Sequence, residues 1–280
     1  MTKEEIQQEI KQAVERVRAK TPLVPSITNS VTINLVANAQ LAAGGSAAMV
    51  YLPDEGCAMA EAGDAMYINM GTLQPVYEKT LPVTAQRLHE QGKPWVLDPV
   101  GLGIGGLRTQ LIAGFKACKP SIIRGNASEI IALARLWELQ VESGTAGAPR
   151  GVDSVDVVSA AKPAAVALAR WTGGAVAVSG ETDMVTDGHL IGWSSGGSML
   201  FTKITGAGCS LGGVAAVYAS VATPFIAALT ATAAYNVAGQ RSAQQVKGPG
   251  HFQQQFLDEL YLMTPDDVAQ NPLELEVAAL

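Results

Sequence analysis

Short, continuously apolar runs punctuate the chain. They are AAMVY (Ala47–Tyr51), AMYINM (Ala65–Met70), PWVLDPV (Pro94–Val100), SIIRGN (Ser121–Asn126) and AVAVSG (Ala175–Gly180). Each is bounded by Gly, Pro or Asn and shows no alternation of apolar with polar residues. That is the pattern of parallel strands covered on both faces. Segments with helical spacing lie between them: Val31–Ala43, Pro75–Gln91, Leu107–Lys116, Ser128–Glu138 and Ser154–Thr172. The alternation predicts one open, mostly parallel α/β sheet with helices on both faces. At the start, Ile6, Ile10, Val14 and Val17 share one face of a charged helix over residues 1–20.

The pattern changes after Gly180. Met184–Lys203 reads as short strands with turns at Asp187-Gly188 and Gly196-Gly197, extending the sheet edge in antiparallel fashion. Helical stretches follow at Ala207–Ala222, Pro224–Gln240 and Phe252–Met263, and the acidic tail over 264–280 is expected to be loosely held. Val141–Gly151, rich in Gly, Ser and Ala, is the best loop candidate. Neither a repeat nor a linker divides the chain, so the expectation is one domain over 1–280.

Composition narrows the function. Of 280 residues, 48% are apolar, and the net charge is −6. Without a basic run there is no electrostatic footprint for nucleic acid. The apolar runs are too short to span a membrane, and the charged, amphipathic N-terminal segment is unlike a signal peptide. The three scattered cysteines (Cys57, Cys118, Cys209) offer neither a disulfide framework nor zinc-ligand spacing. A cytoplasmic protein is expected.

In an open α/β sheet, ligands bind beyond the carboxyl ends of the strands. Asp98, Arg124, Asn126, Glu129, Ser179, Thr205 and Cys209 fall there. Two glycine loops compete. Gly101–Gly106 (GLGIGG) fits Gly-x-Gly-x-x-Gly, but it follows the third strand candidate and the next strand ends in Arg-Gly-Asn. A dinucleotide site needs the first βα unit and an acidic ribose ligand. A loop without ligand duties accounts for the pattern as well. The second loop is Thr205-Gly206-Ala207-Gly208, with no Lys-Ser/Thr that would make it a P-loop. Its N–H groups and the helix that follows suit the negative charge of a phosphoryl group. Cys209 sits in the first helical turn, where the helix end is expected to lower its pKa. A thiolate there could accept a proton from an alcohol. A small buried cysteine with no chemistry fits the same position.

Seven stretches then occur in a telling order: PLVPSITNSVTINLVANAQLAAGGSAAMVY, NMGTL, LDPVGLG, IIRGNASEI, SGETDMVTDG, KITGAGCSLGG and KGPGHF. Together they resemble the hydroxyethylthiazole kinase family from about Pro22 to Leu260. The cysteine in the Gly-x-Gly turn sets that family apart from most ribokinase-like kinases, which carry Asp there. The resemblance implies a ribokinase-like three-layer α/β fold and transfer of the ATP γ-phosphoryl group to the alcohol of 4-methyl-5-(2-hydroxyethyl)thiazole, in thiamine salvage. It also implies Mg²⁺ and a homotrimer with active sites between subunits.

Carried over by position, Met49, Asn29 and Val31 match thiazole contacts, and Gly206 lies near the substrate hydroxyl. Arg124, Ser179, Thr205 and Gly208 match the ATP site. Cys209 matches the position of the base or substrate positioner, and Asp98, Asn126 and Glu129 the metal site. Taken singly, these residues have plainer readings. Asn29 suits an N-cap, Met49 a core position, Ser179 and Asp98 turns, and Arg124 with Glu129 a surface ion pair. Pro25, where relatives often carry His, and GGSAAM in the pocket wall depart from the family pattern. A sister kinase of a hydroxymethylpyrimidine or pyridoxal-type alcohol remains an alternative. So do a hydrated-nicotinamide dehydratase on the same fold and a non-catalytic binder.

Overall fold

The computed structural model describes residues 1–141 and 158–278. Its elements are, in order, α1 (Lys3–Lys20), β1 (Leu23–Ile27), α2 (Ile33–Ala42), β2 (Ser46–Met49), α3 (Pro53–Ala62), β3 (Met66–Asn69), α4 (Tyr77–Glu90), β4 (Trp95–Asp98), α5 (Gly106–Gly114), β5 (Ile122–Asn126) and α6 (Ala127–Leu136). Then come α7 (Val158–Thr172), β6 (Ala175–Ser179), β7 (Thr182–Thr186), β8 (Leu190–Ser195), α8 (Ala207–Ala219), α9 (Pro224–Gln245), α10 (Pro249–Leu262), α11 (Pro265–Ala269) and β9 (Leu273–Val277). The expected loop at Val141–Gly151 lies, from residue 142 on, outside the described residues, as does the start of the helix expected from Ser154.

The strands form one nine-stranded sheet in the order β2-β1-β3-β4-β5-β6-β7-β8-β9. The first six are mutually parallel, and β7, β8 and β9 extend the sheet antiparallel. Side chains alternate between two cores, as the two-residue period of a strand demands. Tyr67, Val96, Ile122 and Ala175 pack on the α1, α2, α8, α9 and α10 side. Met66, Ile68, Trp95, Leu97, Ile123 and Val176 pack on the side of α3 to α7. This is the expected three-layer arrangement, with helices on both faces.

Three points differ from the sequence pattern. Strand β1 falls where no strand is expected, yet it lies inside the sheet between β2 and β3. Pro25 hides it, because proline is rare in inner strands. Here pairing with β3 starts only at Ser26, which faces Tyr67, so the ladder does not need the N–H that Pro25 lacks. Helix α3 also falls where no element is expected from the sequence pattern. Pro53 opens the helix, where proline is tolerated. A Cβ on Gly56 would come within 2.2 Å of the Thr84 hydroxyl, so the glycine lets α3 lie against α4.

The third correction concerns the acidic tail, which is ordered over its described residues, 264–278. Thr264 caps α11, and β9 pairs with β8 from Leu190↔Val277 to Ser194↔Leu273. Asp267 ties this segment to α9 by accepting from Arg241 Nη2 at 2.6 Å and Nη1 at 3.2 Å. The Arg241 hydrogen bond is the main influence holding the Asp267 pKa down to about 2. An acid depressed in the folded state contributes stability above its unfolded pKa of about 3.9 and loses it as pH falls through the folded value. Chemical denaturation of wild type and Asp267→Asn should therefore differ at pH 6 and converge between about pH 4 and pH 2. The difference should be at most about 1 kcal/mol, because the pair is partly exposed.

Candidate active site

Strand parity assembles the site. Tyr67 and Asn69 of β3, Asp98 of β4, Arg124 of β5 and Ser179 of β6 occupy positions of one parity on adjacent parallel strands. All stand at or near the carboxyl ends, on the face that α8 covers. Asp98, Tyr67 and Asn69 are fully buried. Arg124 Nη1 reaches Asp98 Oδ2 at 3.4 Å, and Nη2 donates to Ser179 Oγ at 2.9 Å. Arg124 Nε and Asp98 Oδ1 are buried without a hydrogen-bond partner. Burial holds Asp98 above the usual carboxylate range, and Glu129's charge adds to this, although the Arg124 cation opposes both.

The turn into α8 meets this cluster from above. Gly206 is the N-cap with φ +90°, and a Cβ there would lie 2.8 Å from Thr32 Cβ, so both backbone and packing require glycine. At Gly208 a Cβ would sit 2.6 Å from Arg124 Nη1. The guanidinium therefore lies directly against the backbone of the helix's first turn. No side chain caps α8, which leaves the first-turn N–H groups beside the arginine free for a ligand. Thr205, just before this turn, is exposed.

Cys209 follows, half-buried, with Asn29 Nδ2 at 3.6 Å from its sulfur. Its pKa runs opposite to expectation. Burial, and then the negative charge of Asp98, raise it; the Arg124 cation pulls it back only in part. A helix N-terminus contributes at most about 2 kcal/mol, whereas desolvation moves a thiol the other way by as much or more. Cys209 is thus a thiol at neutral pH.

Asn126 and Glu129 build a reciprocal helix cap. Asn126 Oδ1 accepts from Glu129 N, and Glu129 Oε2 accepts from Asn126 N, both at 2.9 Å. Asn126 spends its side-chain oxygen on this cap. Glu129 Oε1 also accepts from Gly101 N at 3.2 Å. The GLGIGG loop therefore fastens to the start of α6, which gives it a structural duty other than dinucleotide binding. Among the described residues, no group of three or more His, Cys, Asp or Glu side chains is poised to hold a metal.

The other substrate candidates lie toward the sheet edge. Asn29 is buried and its Oδ1 accepts from Thr32 N at 3.1 Å, so it caps a turn as well as facing the sulfur. Met49 ends the edge strand β2, half-buried. Val31 is 60% exposed. Sequence reasoning quoted NMGTL but passed over Asn69 and Tyr67. A polar residue closing the apolar run AMYIN was the available signal for Asn69. Tyr67, apolar in pattern, offered none.

The sequence profile of the hydroxyethylthiazole kinase family matches residues 14–266. The chain belongs to the hydroxyethylthiazole kinase family. It is 52% identical to a hydroxyethylthiazole kinase of Bifidobacterium longum over 96% of this chain and 91% of that one. Its structure resembles that of the hydroxyethylthiazole kinase protein from Pyrococcus horikoshii OT3, with a TM-score of 0.84 and 30% identity over 97% of this chain and all of that one. A ribokinase-like superfamily protein from Enterococcus faecalis shares the fold at 12% identity and a TM-score of 0.60, covering 93% of this chain and 94% of that one. The expected family and fold are both borne out.

The raised thiol in this kinase is directly measurable. Alkylation of Cys209 followed by mass spectrometry across pH should show a midpoint above the ordinary thiol value of about 8.5. A midpoint near 7 would restore the helix-end expectation.

Proposed function

We propose that this hydroxyethylthiazole kinase transfers the γ-phosphoryl group of ATP to the alcohol of 4-methyl-5-(2-hydroxyethyl)thiazole, a step of thiamine salvage. The observation that carries the reading is the Arg124 guanidinium packed on Gly208 at an uncapped helix N-terminus, next to Cys209. Cation, amides and helix end converge on one point, which suits a triphosphate in transfer. The alcohol oxygen bonds to the γ-phosphorus. The bond from phosphorus to the bridging oxygen breaks, its electron pair stays on ADP, and the alcohol proton leaves to water. In a loose transition state that proton leaves late, so positioning matters more than a strong base. Cys209, protonated at rest, serves as the positioner: its S–H donates to the substrate alcohol oxygen, whose own proton is left facing water.

Arg124, Ser179, Thr205 and Gly208 bind ATP in this reading. Gly206, Asn29, Val31 and Met49 bind the thiazole. Asp98 and Glu129 fit Mg²⁺, a cation that takes carboxylate oxygens and water: Asp98 Oδ1 is buried with no partner, and Glu129 lies close enough to shift Asp98's pKa. Bound there, Mg²⁺ would neutralise phosphate charge. Asn126 acts behind them as the cap that holds Glu129.

A homotrimer with its sites between subunits also belongs to this reading. Val31 at 60% exposure and Leu52 at 48% leave the thiazole side of one protomer open. A cytoplasmic location is proposed with it. Among the described residues, no helix is long and apolar enough to cross a membrane.

Purified protein should phosphorylate the hydroxyethylthiazole with ATP in preference to hydroxymethylpyrimidine or pyridoxal. The reverse preference would move it to a sister kinase. Cys209→Ala should lower kcat about five- to tenfold, the worth of one neutral hydrogen bond, with an unchanged melting temperature. Gly208→Ala displaces Arg124 and should raise the KM for ATP by at least about tenfold, since bonds to charged groups are stronger. An unchanged KM would remove Arg124 from the phosphate site.

A further inference from the structure

Two buried amides between Asp98 and Cys209 have orientations that the backbone dictates. Gly71 N–H donates to Asn69 Oδ1 at 2.9 Å, and Thr32 N–H donates to Asn29 Oδ1 at 3.1 Å. A backbone N–H can only donate, so each amide oxygen must face its backbone partner and each NH₂ must face away. Asn69 Nδ2 then meets the Tyr67 hydroxyl at 2.8 Å and Asp98 Oδ2 at 3.1 Å. Tyr67 in turn donates to Asp98 Oδ2 at 2.9 Å.

The polarity passes onward. Asn69 Oδ1 accepts one proton of Asn29 Nδ2 at 2.9 Å. The other proton of Asn29 faces Cys209 Sγ at 3.6 Å. Both donors of each NH₂ are therefore engaged, and neither amide can flip without leaving a buried donor facing a donor. The sulfur receives a donor from Asn29, so its own S–H cannot point that way.

We propose that Asn69 is a positioning residue for phosphoryl transfer: it holds the Asn29 amide with Nδ2 toward Cys209, and so fixes how the thiol meets the substrate alcohol. Asn69 acts on the thiol through Asn29, and its own side chain also stands close enough to the sulfur to favour the thiolate slightly, as does that of Thr32. The inference rests on the reading that Cys209 faces the acceptor alcohol, and a double-mutant cycle separates the two.

Asn69→Leu keeps the volume and removes both amide functions. It should lower kcat by about tenfold, a misplacement effect, while the KM for ATP stays within about twofold. In a Cys209→Ala background the same substitution should change kcat by less than about twofold, because residues acting as one unit are not additive. A merely structural asparagine would instead multiply its loss onto that of Cys209→Ala. Multiplying losses, or full kcat in Asn69→Leu alone, overturn the proposal while leaving the role of the thiol standing. Full turnover in Cys209→Ala overturns the role of the thiol and the proposal with it. Should Asn69→Leu fail to fold by circular dichroism, Asn69→Ser, which leaves space for water, runs through the same cycle with the same outcomes.

Discussion

A guanidinium out of water needs a carboxylate partner, and the carboxylate needs the guanidinium. Arg124 is 9% exposed and Asp98 is not exposed at all. Removing one member of such a buried pair costs about 3–5 kcal/mol, because the other is stranded. Much of the neighbourhood follows from keeping them together. Strands β4 and β5 must be adjacent and parallel so that residues of matching parity meet. Ser179 must close β6 with a hydroxyl, because Nη2 needs an acceptor. Gly208 must lack a side chain, because the guanidinium occupies that space. What this leaves without a partner inside the protein is Nε of Arg124 and Oδ1 of Asp98, both buried.

That same pair also acts on the cysteine. A thiol at a helix N-terminus is ordinarily more acidic, but burial, and after it the charge of Asp98, raise the Cys209 pKa here. The cysteine position in the family turn is thus compatible with a neutral group. An aspartate at the same point would add a second negative charge close to Asp98. The Cys209 environment and the buried Asp98 belong to one electrostatic arrangement rather than to two independent residues.

The sheet was legible where parallel strands run uninterrupted. AMYINM, PWVLDPV, SIIRGN and AVAVSG became β3 to β6, because covering both faces leaves no room for polar positions. What escaped was decided by contacts far apart in sequence. Pro25 is acceptable in β1 only because of where β3 begins to pair, and Gly56 in α3 only because Thr84 comes close. In the site, the polar strand ends Asp98, Arg124 and Ser179 and the turn at Gly206 could be picked out, since position along the chain carries that information. The sign of the Cys209 shift could not, because it depends on burial. Nor could the Asn69–Asn29 link, which spans 40 residues.

The strand β9 has a consequence for how the molecule is made. It hydrogen-bonds along the whole of β8, yet α8, α9, α10 and α11 are all synthesised between the two. While those helices emerge from the ribosome, β8 carries a bare row of amides and carbonyls. Such a row is the template on which nascent chains aggregate. The order of the chain thus leaves that flank of the sheet to be covered last.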